Sequence, residues 1–205
     1  MFRLVLLGLV AALLAWSAFE PFDRLTWWLE VSPILIGAPV LIVTARRFPF
    51  TSLVYLLMAL HAALLIFGGH WTYARVPMGF WLQDLLGFER NPYDRLGHLF
   101  QGFVPALVVR EVLLRTSPLR PGGWLTFLII SVCLAISATY ELVEWAAALV
   151  AGGASIEFLG TQGDVWDTQW DMFLAGIGAV LALFSLARIH DRQLAALRSE
   201  ASTGE

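Results

Sequence analysis

Six long apolar runs limit what this chain can fold into more strongly than any other feature of its sequence. They cover about residues 3–20, 27–45, 51–68, 95–114, 124–150 and 168–188. A helix that crosses the hydrocarbon core of a membrane needs roughly 20 mostly apolar residues. Only 14% of the 205 residues are charged, whereas a soluble domain has about 25%. The sequence therefore predicts an all-α fold, a polytopic transmembrane bundle of about six spans in one domain, residues 1–190.

The arginines predict how these helices are oriented. All 13 basic residues are Arg, and nine of them share one side of the membrane if the amino terminus is cytoplasmic. These nine are Arg3, Arg46, Arg47, Arg110, Arg115, Arg120, Arg188, Arg192 and Arg198. Basic residues are enriched in cytoplasmic loops, so we expect both termini in the cytoplasm. Residues 69–94 then form an outer loop with a short interfacial helix, and residues 191–205 form a polar cytoplasmic tail.

Acidic residues collect at the opposite, outer ends of the predicted helices. Asp and Glu have little influence on how helices insert, so this excess needs another cause. At 3.6 residues per turn, the polar residues there form one stripe on each of three helices. The stripes are Asp94, His98 and Gln101; Glu141 and Glu144; and Asp164, Asp167 and Asp171, which continues as Ala175, Gly178 and Ala182. Because small residues let membrane helices pack closely, we expect the stripes to face one another inside the bundle.

Three explanations for these acids remain open at this point. They form a structural network of hydrogen bonds and salt bridges, they bind a divalent metal, or they line a path for protons or other cations. Carboxylates with one imidazole suit Mg²⁺, Mn²⁺ or Zn²⁺. The metal ligands in the second hypothesis are Asp94, His98, Glu141, Asp167 and Asp171.

The metal hypothesis leads to an enzyme at the membrane surface. A bound metal can activate water and neutralise phosphate, and either Glu144 or Asp164 would be the general base. The substrate would be a lipid-linked or envelope intermediate. No recognised phosphatase, protease or P-loop motif occurs in the chain, so the sequence does not decide between an enzyme, a scaffold and a transporter. The lipid bilayer is an expected partner, and no nucleic-acid partner is expected.

Three long motifs resemble a known bacterial family. The stretches YDRLGHLFQGFVPALVVRE, YELVEW and FLGTQGDVWDTQWDM strongly resemble the YjdF-type inner-membrane proteins, and the likeness extends over nearly the whole chain. The resemblance implies a multi-pass protein of the bacterial inner (cytoplasmic) membrane, but no activity, because the function of that family is not established.

A more distant resemblance is to VanZ-like membrane proteins, which are associated with tolerance of glycopeptide antibiotics. These proteins pair a D-x-x-x-H segment with a later acidic helix and a final D-x-x-x-N-x-x-G. Asp94 and His98 match the first motif, and Asp167 matches the start of the last. Asp171 stands where that motif has Asn, so the resemblance implies no detailed mechanism.

Overall fold

Helices make up all the regular secondary structure in the part of the chain that the computed structural model describes. That part is residues 1–151 and 156–203, with the side chains of 151, 156–157 and 200–203 left aside. The α-helices are α1 Phe2–Ser17, α2 Arg24–Thr44, α3 Ser52–Trp71, α4 Pro77–Leu86, α5 Tyr93–Thr116, α6 Gly123–Ala151, α7 Ile156–Leu159 and α8 Asp167–Thr203, with a short 3-10 turn at Tyr73–Arg75. The predicted all-α class is confirmed.

Five of these helices, α2, α3, α5, α6 and α8, are long and apolar enough to cross a membrane. Helix α1 is apolar but has only 16 residues, which is about 24 Å at 1.5 Å per residue and less than the roughly 30 Å of the hydrocarbon core. It ends where the Ser17 hydroxyl donates to the Leu14 carbonyl at 2.9 Å. A sixth crossing and the cytoplasmic termini therefore stay predictions.

Local signals explain where several helices begin and end. The Asp23 carboxylate accepts a hydrogen bond from the Thr26 amide at 2.7 Å and so caps α2. Helix α4 lies within the predicted outer loop, begins at Pro77 and ends before Gly87, whose φ of +67° is left-handed. Helix α8 runs from Asp167 to Thr203 and includes most of the predicted tail, of which residues 204 and 205 lie outside the described residues.

Helix α5 is the centre of the bundle. It packs against α3, α6 and α8, while α1 and α2 pack against α3. The closest approach is between α5 and α8. A Cβ atom built on Gly102 would lie 2.8 Å from the Ala175 Cα, and one on Gly178 would lie 2.9 Å from the Phe103 amide nitrogen. The predicted stripe of small residues on the last helix is confirmed as a helix contact, with Ala182 fully buried beside it.

Polar networks occupy the two ends of the bundle. One end holds the starts of α2, α5 and α8 and the ends of α3 and α6, and we call it the acidic end. At the opposite end, the buried Glu111 carboxylate accepts from the Thr51 hydroxyl at 2.8 Å, from Arg115 at 2.7 Å and from the His190 Nε2 at 2.9 Å. The Thr51 amide donates to the same carboxylate at 3.0 Å. Glu111 thus joins the start of α3 to α5 and α8.

Candidate functional site

The three predicted stripes meet around one imidazole at the acidic end. The Nε2 atom of His98 lies 3.6 Å from the Asp94 Oδ1 and 3.9 Å from the Asp171 Oδ2. Its Nδ1 atom lies 3.8 Å from the Glu141 Oε1. His98 is only 4% exposed and Asp171 only 2% exposed. The predicted convergence of α5, α6 and α8 is therefore confirmed, and it forms a buried cluster of acids around one histidine.

Both nitrogen atoms of the His98 ring face oxygen acceptors. Its Nδ1 lies 3.2 Å from the Gln101 Oε1 and also faces Glu141, and both of these oxygens are acceptors. Nε2 faces the carboxylates of Asp94 and Asp171. A neutral imidazole has one proton, so the nitrogen that lacks it meets these acceptors with a lone pair. Acceptors that face acceptors repel one another in a buried site, so this position requires a proton or a metal cation.

Two buried carboxylate oxygens reinforce this requirement. Among the described residues, the Glu141 Oε1 and the Asp171 Oδ1 have no hydrogen-bond partner. Buried polar atoms are nearly always satisfied, and buried charges are usually paired or coordinate metals. The cluster thus presents two carboxylate oxygens that no donor in the described part of the chain satisfies.

The spacing of the ligand atoms fits a metal ion in two ways. Within the described residues, one group is Asp94, His98 and Asp171, and another is His98, Glu141 and Glu144; in each group the ligand atoms lie within 4.8 Å of one another. Metal–oxygen distances are about 2.0–2.6 Å, so two ligands of one ion lie up to about 5 Å apart. Either group can therefore hold one ion.

The first two acids of the third predicted stripe, Asp164 and Asp167, have arginine partners. Arg90 donates to the Asp167 carboxylate, and Arg95 donates to Asp164 at 2.7 Å. Neither Asp164 nor Asp167 belongs to the two groups of ligand atoms described above. Their predicted roles, general base for Asp164 and metal ligand for Asp167, stay predictions.

The prediction that Asp164 continues the helical stripe is wrong. Helix α8 begins at Asp167, and Asp164 lies in the preceding turn, where its carboxylate accepts from the Trp166 amide at 2.9 Å. This is the local bond by which Asp favours turns over helices, and Gly163 beside it has a φ of +85°. The Trp166 hydrogen bond, together with the nearby charges of Arg90 and Arg95, lowers the pKa of Asp164.

Residues 160–166 cover the acidic cluster. The Gln162 side chain accepts from the Asn91 amide at 3.1 Å and donates to the Asn91 carbonyl at 2.9 Å. Arg90 also donates to the Thr161 carbonyl. Gly160, with a φ of +60°, lies against the Asp94 carboxylate, because a Cβ built on it would be 3.7 Å from the Asp94 Cγ. This turn is therefore fastened to the start of α5 directly over the site.

A small cavity lies beside His98, and some of the residues that line it were missed by the sequence analysis. Its volume is about 20 Å³, and its lining includes Asp94, Glu144, Glu30, Tyr73 and Tyr140. A cavity of this size holds about one water molecule. The buried Glu30 accepts a hydrogen bond from the Tyr140 hydroxyl at 2.9 Å. The sequence feature that could have identified Glu30 is that it is the single acid in the second apolar run.

Tyr73 contributes a phenol to the same cavity from the 3-10 turn. Burial, and then the neighbouring Glu30 carboxylate, raise the pKa of Tyr73 well above its usual value. The phenol therefore stays protonated and acts as a donor toward the carboxylates. Its position could not be predicted, because it depends on how the segment after α3 folds back over α5.

Comparison with known proteins identifies the family. Residues 2–192 match the model of a family described as "Predicted membrane protein (DUF2238)". The chain belongs to this family. It is also similar to the inner membrane protein YjdF of Escherichia coli (strain K12), with 53% identity over 182 residues, which are 89% of this chain and 87% of that protein. No solved structure matches the chain.

These comparisons decide part of the sequence-based predictions. The resemblance to YjdF-type proteins is confirmed, and so is the location as a multi-pass protein of the inner membrane. The more distant resemblance to VanZ-like proteins is not supported. The family description names no substrate or reaction, so the chemistry of the site is argued below from its residues.

Proposed function

We propose that this protein binds a divalent cation between Asp94, His98 and Asp171 at the outer end of the bundle, and that it uses the cation to hydrolyse a lipid-linked or envelope phosphate ester. One observation carries the proposal. The Nε2 atom of the buried His98 lies 3.6 Å from the Asp94 Oδ1 and 3.9 Å from the Asp171 Oδ2, and the ligand atoms of these three residues lie within 4.8 Å of one another. A cation in that position converts three mutually repelling acceptors into ligands.

The charges around the cluster support a cation. Buried carboxyls from α2, α5, α6 and α8 surround one imidazole, and the two nearby arginines are already bound to Asp164 and Asp167. Two carboxylates and one imidazole are a ligand set that suits Mg²⁺, Mn²⁺ or Zn²⁺. The free oxygen of Asp171 supplies an additional ligand atom.

The adjoining cavity supports hydrolysis as the reaction class. Asp94 and His98 line it together with Glu144, so a water molecule there would touch both the cation and a carboxylate. A cation held by Asp94, His98 and Asp171 would supply Lewis-acid activation of that water. Glu144 would accept the water proton as the water oxygen bonds to phosphorus, and would return it to the leaving oxygen as the phosphorus–oxygen ester bond breaks.

Binding of Mn²⁺ to the purified full-length chain tests the cation site. We expect isothermal titration in detergent to show binding, with a rise in thermal stability that reaches about 2.7 kcal/mol at 100 times the Kd. Asp94→Asn and Asp171→Asn should lose most of the affinity. The matched control is Asp84→Asn, which removes an exposed acid of α4 and should bind as the wild type does. A wild-type protein that binds no Mn²⁺ refutes the proposal.

Hydrolysis has a separate test. With vesicles that contain a lipid phosphate ester, we expect phosphate release that depends on Mn²⁺ and is lost in Glu144→Gln, although Glu144→Gln still binds the ion. Binding without release would limit the protein to a cation-binding role.

A structural polar network is the second candidate, and a specific observation favours it. Arg90, Arg95 and Tyr140 each hold an acid of this end, so part of the cluster is stabilised by protein atoms alone. If the network is the whole function, neutralising Asp171 relieves repulsion, and the free energy of unfolding should rise in Asp171→Asn without any metal dependence.

A further inference from the structure

The proposal above leaves the other edge of the His98 ring unused. There the Nδ1 atom faces Glu141 at 3.8 Å, and His98, Glu141 and Glu144 bring ligand atoms within 4.8 Å of one another. Glu141 is 7% exposed, and its Oε1 has no hydrogen-bond partner in the described part of the chain. One turn deeper on α6, the fully buried Ser137 hydroxyl also lacks a partner there. This edge is a second set of ligand atoms, of which the Glu141 Oε1 lacks a hydrogen-bond partner.

Both sets depend on the same imidazole. A neutral histidine has one proton and one lone pair, on opposite edges of the ring, and the nitrogen that binds a metal is fixed by the bond of the other. A cation on Nε2 would leave the proton on Nδ1, 3.2 Å from the Gln101 Oε1. A cation on Nδ1 would leave the proton on Nε2, which faces the Asp94 and Asp171 carboxylates at 3.6 and 3.9 Å.

We infer that the site has two mutually exclusive positions for one divalent cation, the first at Asp94, His98 Nε2 and Asp171, and the second at His98 Nδ1, Glu141 and Glu144. The inference rests on the proposed function, because it concerns the same ion. When the ion moves from the first position to the second, the ring proton leaves Nδ1 and a proton is taken up on Nε2. The cavity beside His98 has room for about one water molecule, which would give a proton to Nε2 and take up the one from Nδ1, so charge and protons balance.

Gln101 sets the preference between the two positions. Its Oε1 atom lies 3.2 Å from Nδ1, and an acceptor there stabilises the tautomer that has a free Nε2 and therefore favours the first position. Gln101 is a positioning residue, since it acts on the ion through His98. A preference of about tenfold for the first position follows from one hydrogen bond worth about 1–1.5 kcal/mol.

The test measures Mn²⁺ stoichiometry and electron paramagnetic resonance spectra of the full-length protein in lipid nanodiscs. We expect one Mn²⁺ per chain. Asp171→Asn should weaken binding about tenfold and change the spectrum, because the ion then occupies the second position. Glu141→Gln alone should change affinity by less than about twofold, and Asp171→Asn with Glu141→Gln should abolish binding. Gln101→Leu should change the spectrum while leaving one ion per chain.

Each contrary result has a defined meaning. Two ions per chain overturn the mutual exclusion. Unchanged binding on adding Glu141→Gln to Asp171→Asn overturns the second position, and Glu144→Gln provides the same comparison if the Glu141 variant fails to fold. If the wild type binds one ion and Asp171→Asn alone abolishes binding, the proposed function stands and the second position is refuted. If the wild type binds none, the proposed function itself fails.

Discussion

An alanine in place of Gly102 tests whether the close approach of α5 and α8 holds the acidic cluster together. The added Cβ would lie 2.8 Å from the Ala175 Cα and would also overlap the Ala175 carbonyl. Carbon atoms pack at about 3.5–4.0 Å, so the two helices must separate by about 1 Å at least. Overpacking of this kind costs typically 1–3 kcal/mol, and contact with rigid backbone places Gly102→Ala near the upper value. We therefore expect unfolding of the full-length protein in mixed micelles to show a loss of about 3 kcal/mol.

The same separation of α5 and α8 should also increase the distances between the ligands of the proposed metal site. Asp171 lies one turn above Ala175 on α8, and His98 lies one turn above Gly102 on α5, so the 3.9 Å between them increases when the helices part. Mn²⁺ affinity should fall together with stability. Gly176→Ala is the matched control, because its Cβ would meet a flexible Leu134 atom at 3.4 Å and alanine gains about 1 kcal/mol of helix propensity over glycine. Equal stability of the Gly102 and Gly176 variants would refute the reasoning.

Two further predictions concern polar contacts away from the cation. Glu111→Ala removes the acceptor of Arg115 and His190 at the opposite end of the bundle. We expect this variant to lower the free energy of unfolding by about 3–5 kcal/mol, with no change in the Mn²⁺ affinity of the folded fraction. A loss of Mn²⁺ affinity would show that the two ends of the bundle are coupled. Asp164 has a lowered pKa, so the hydrogen bond from the Trp166 amide and the nearby charges of Arg90 and Arg95 stabilise the protein above the ordinary carboxyl pKa of about 3.9. This contribution is lost as the pH falls through the lower folded value. Melting curves of the wild type and Asp164→Asn should therefore differ by a constant margin above about pH 5 and converge in acid, and a margin that closes near neutral pH would contradict this assignment.

Much of the fold followed from the sequence because it depends on local periodicity. The apolar runs predicted the long helices, and the small residues that follow Asp171 predicted a helix contact that Gly178 makes against the backbone of α5. The length of α1 was less predictable, since its end is set by a local turn after Ser17. Apolar character alone does not show where a helix stops.

The site was predictable in part. Spacing along α5 and α6 placed His98 and Glu141 on facing stripes, because helical periodicity fixes which residues share a face. Spacing could not show that Asp167 is held by Arg90, 77 residues earlier in the chain, because that contact depends on how two loops fold over the bundle. Glu30 was missed for a similar reason, since its place beside Tyr140 results from the packing of α2 at the acidic end.

The metal content of the protein tests the central claim most directly. The full-length chain would be purified from membranes without chelators and analysed by inductively coupled plasma mass spectrometry, beside the variants Asp94→Asn/Asp171→Asn and Asp84→Asn. The account predicts close to one divalent ion per chain in the wild type and in Asp84→Asn, and a reduced metal content in the Asp94/Asp171 double variant, in which only the weaker second position remains. Wild-type protein without a divalent ion even after equilibration with Mn²⁺, or a double variant with undiminished metal, would contradict it.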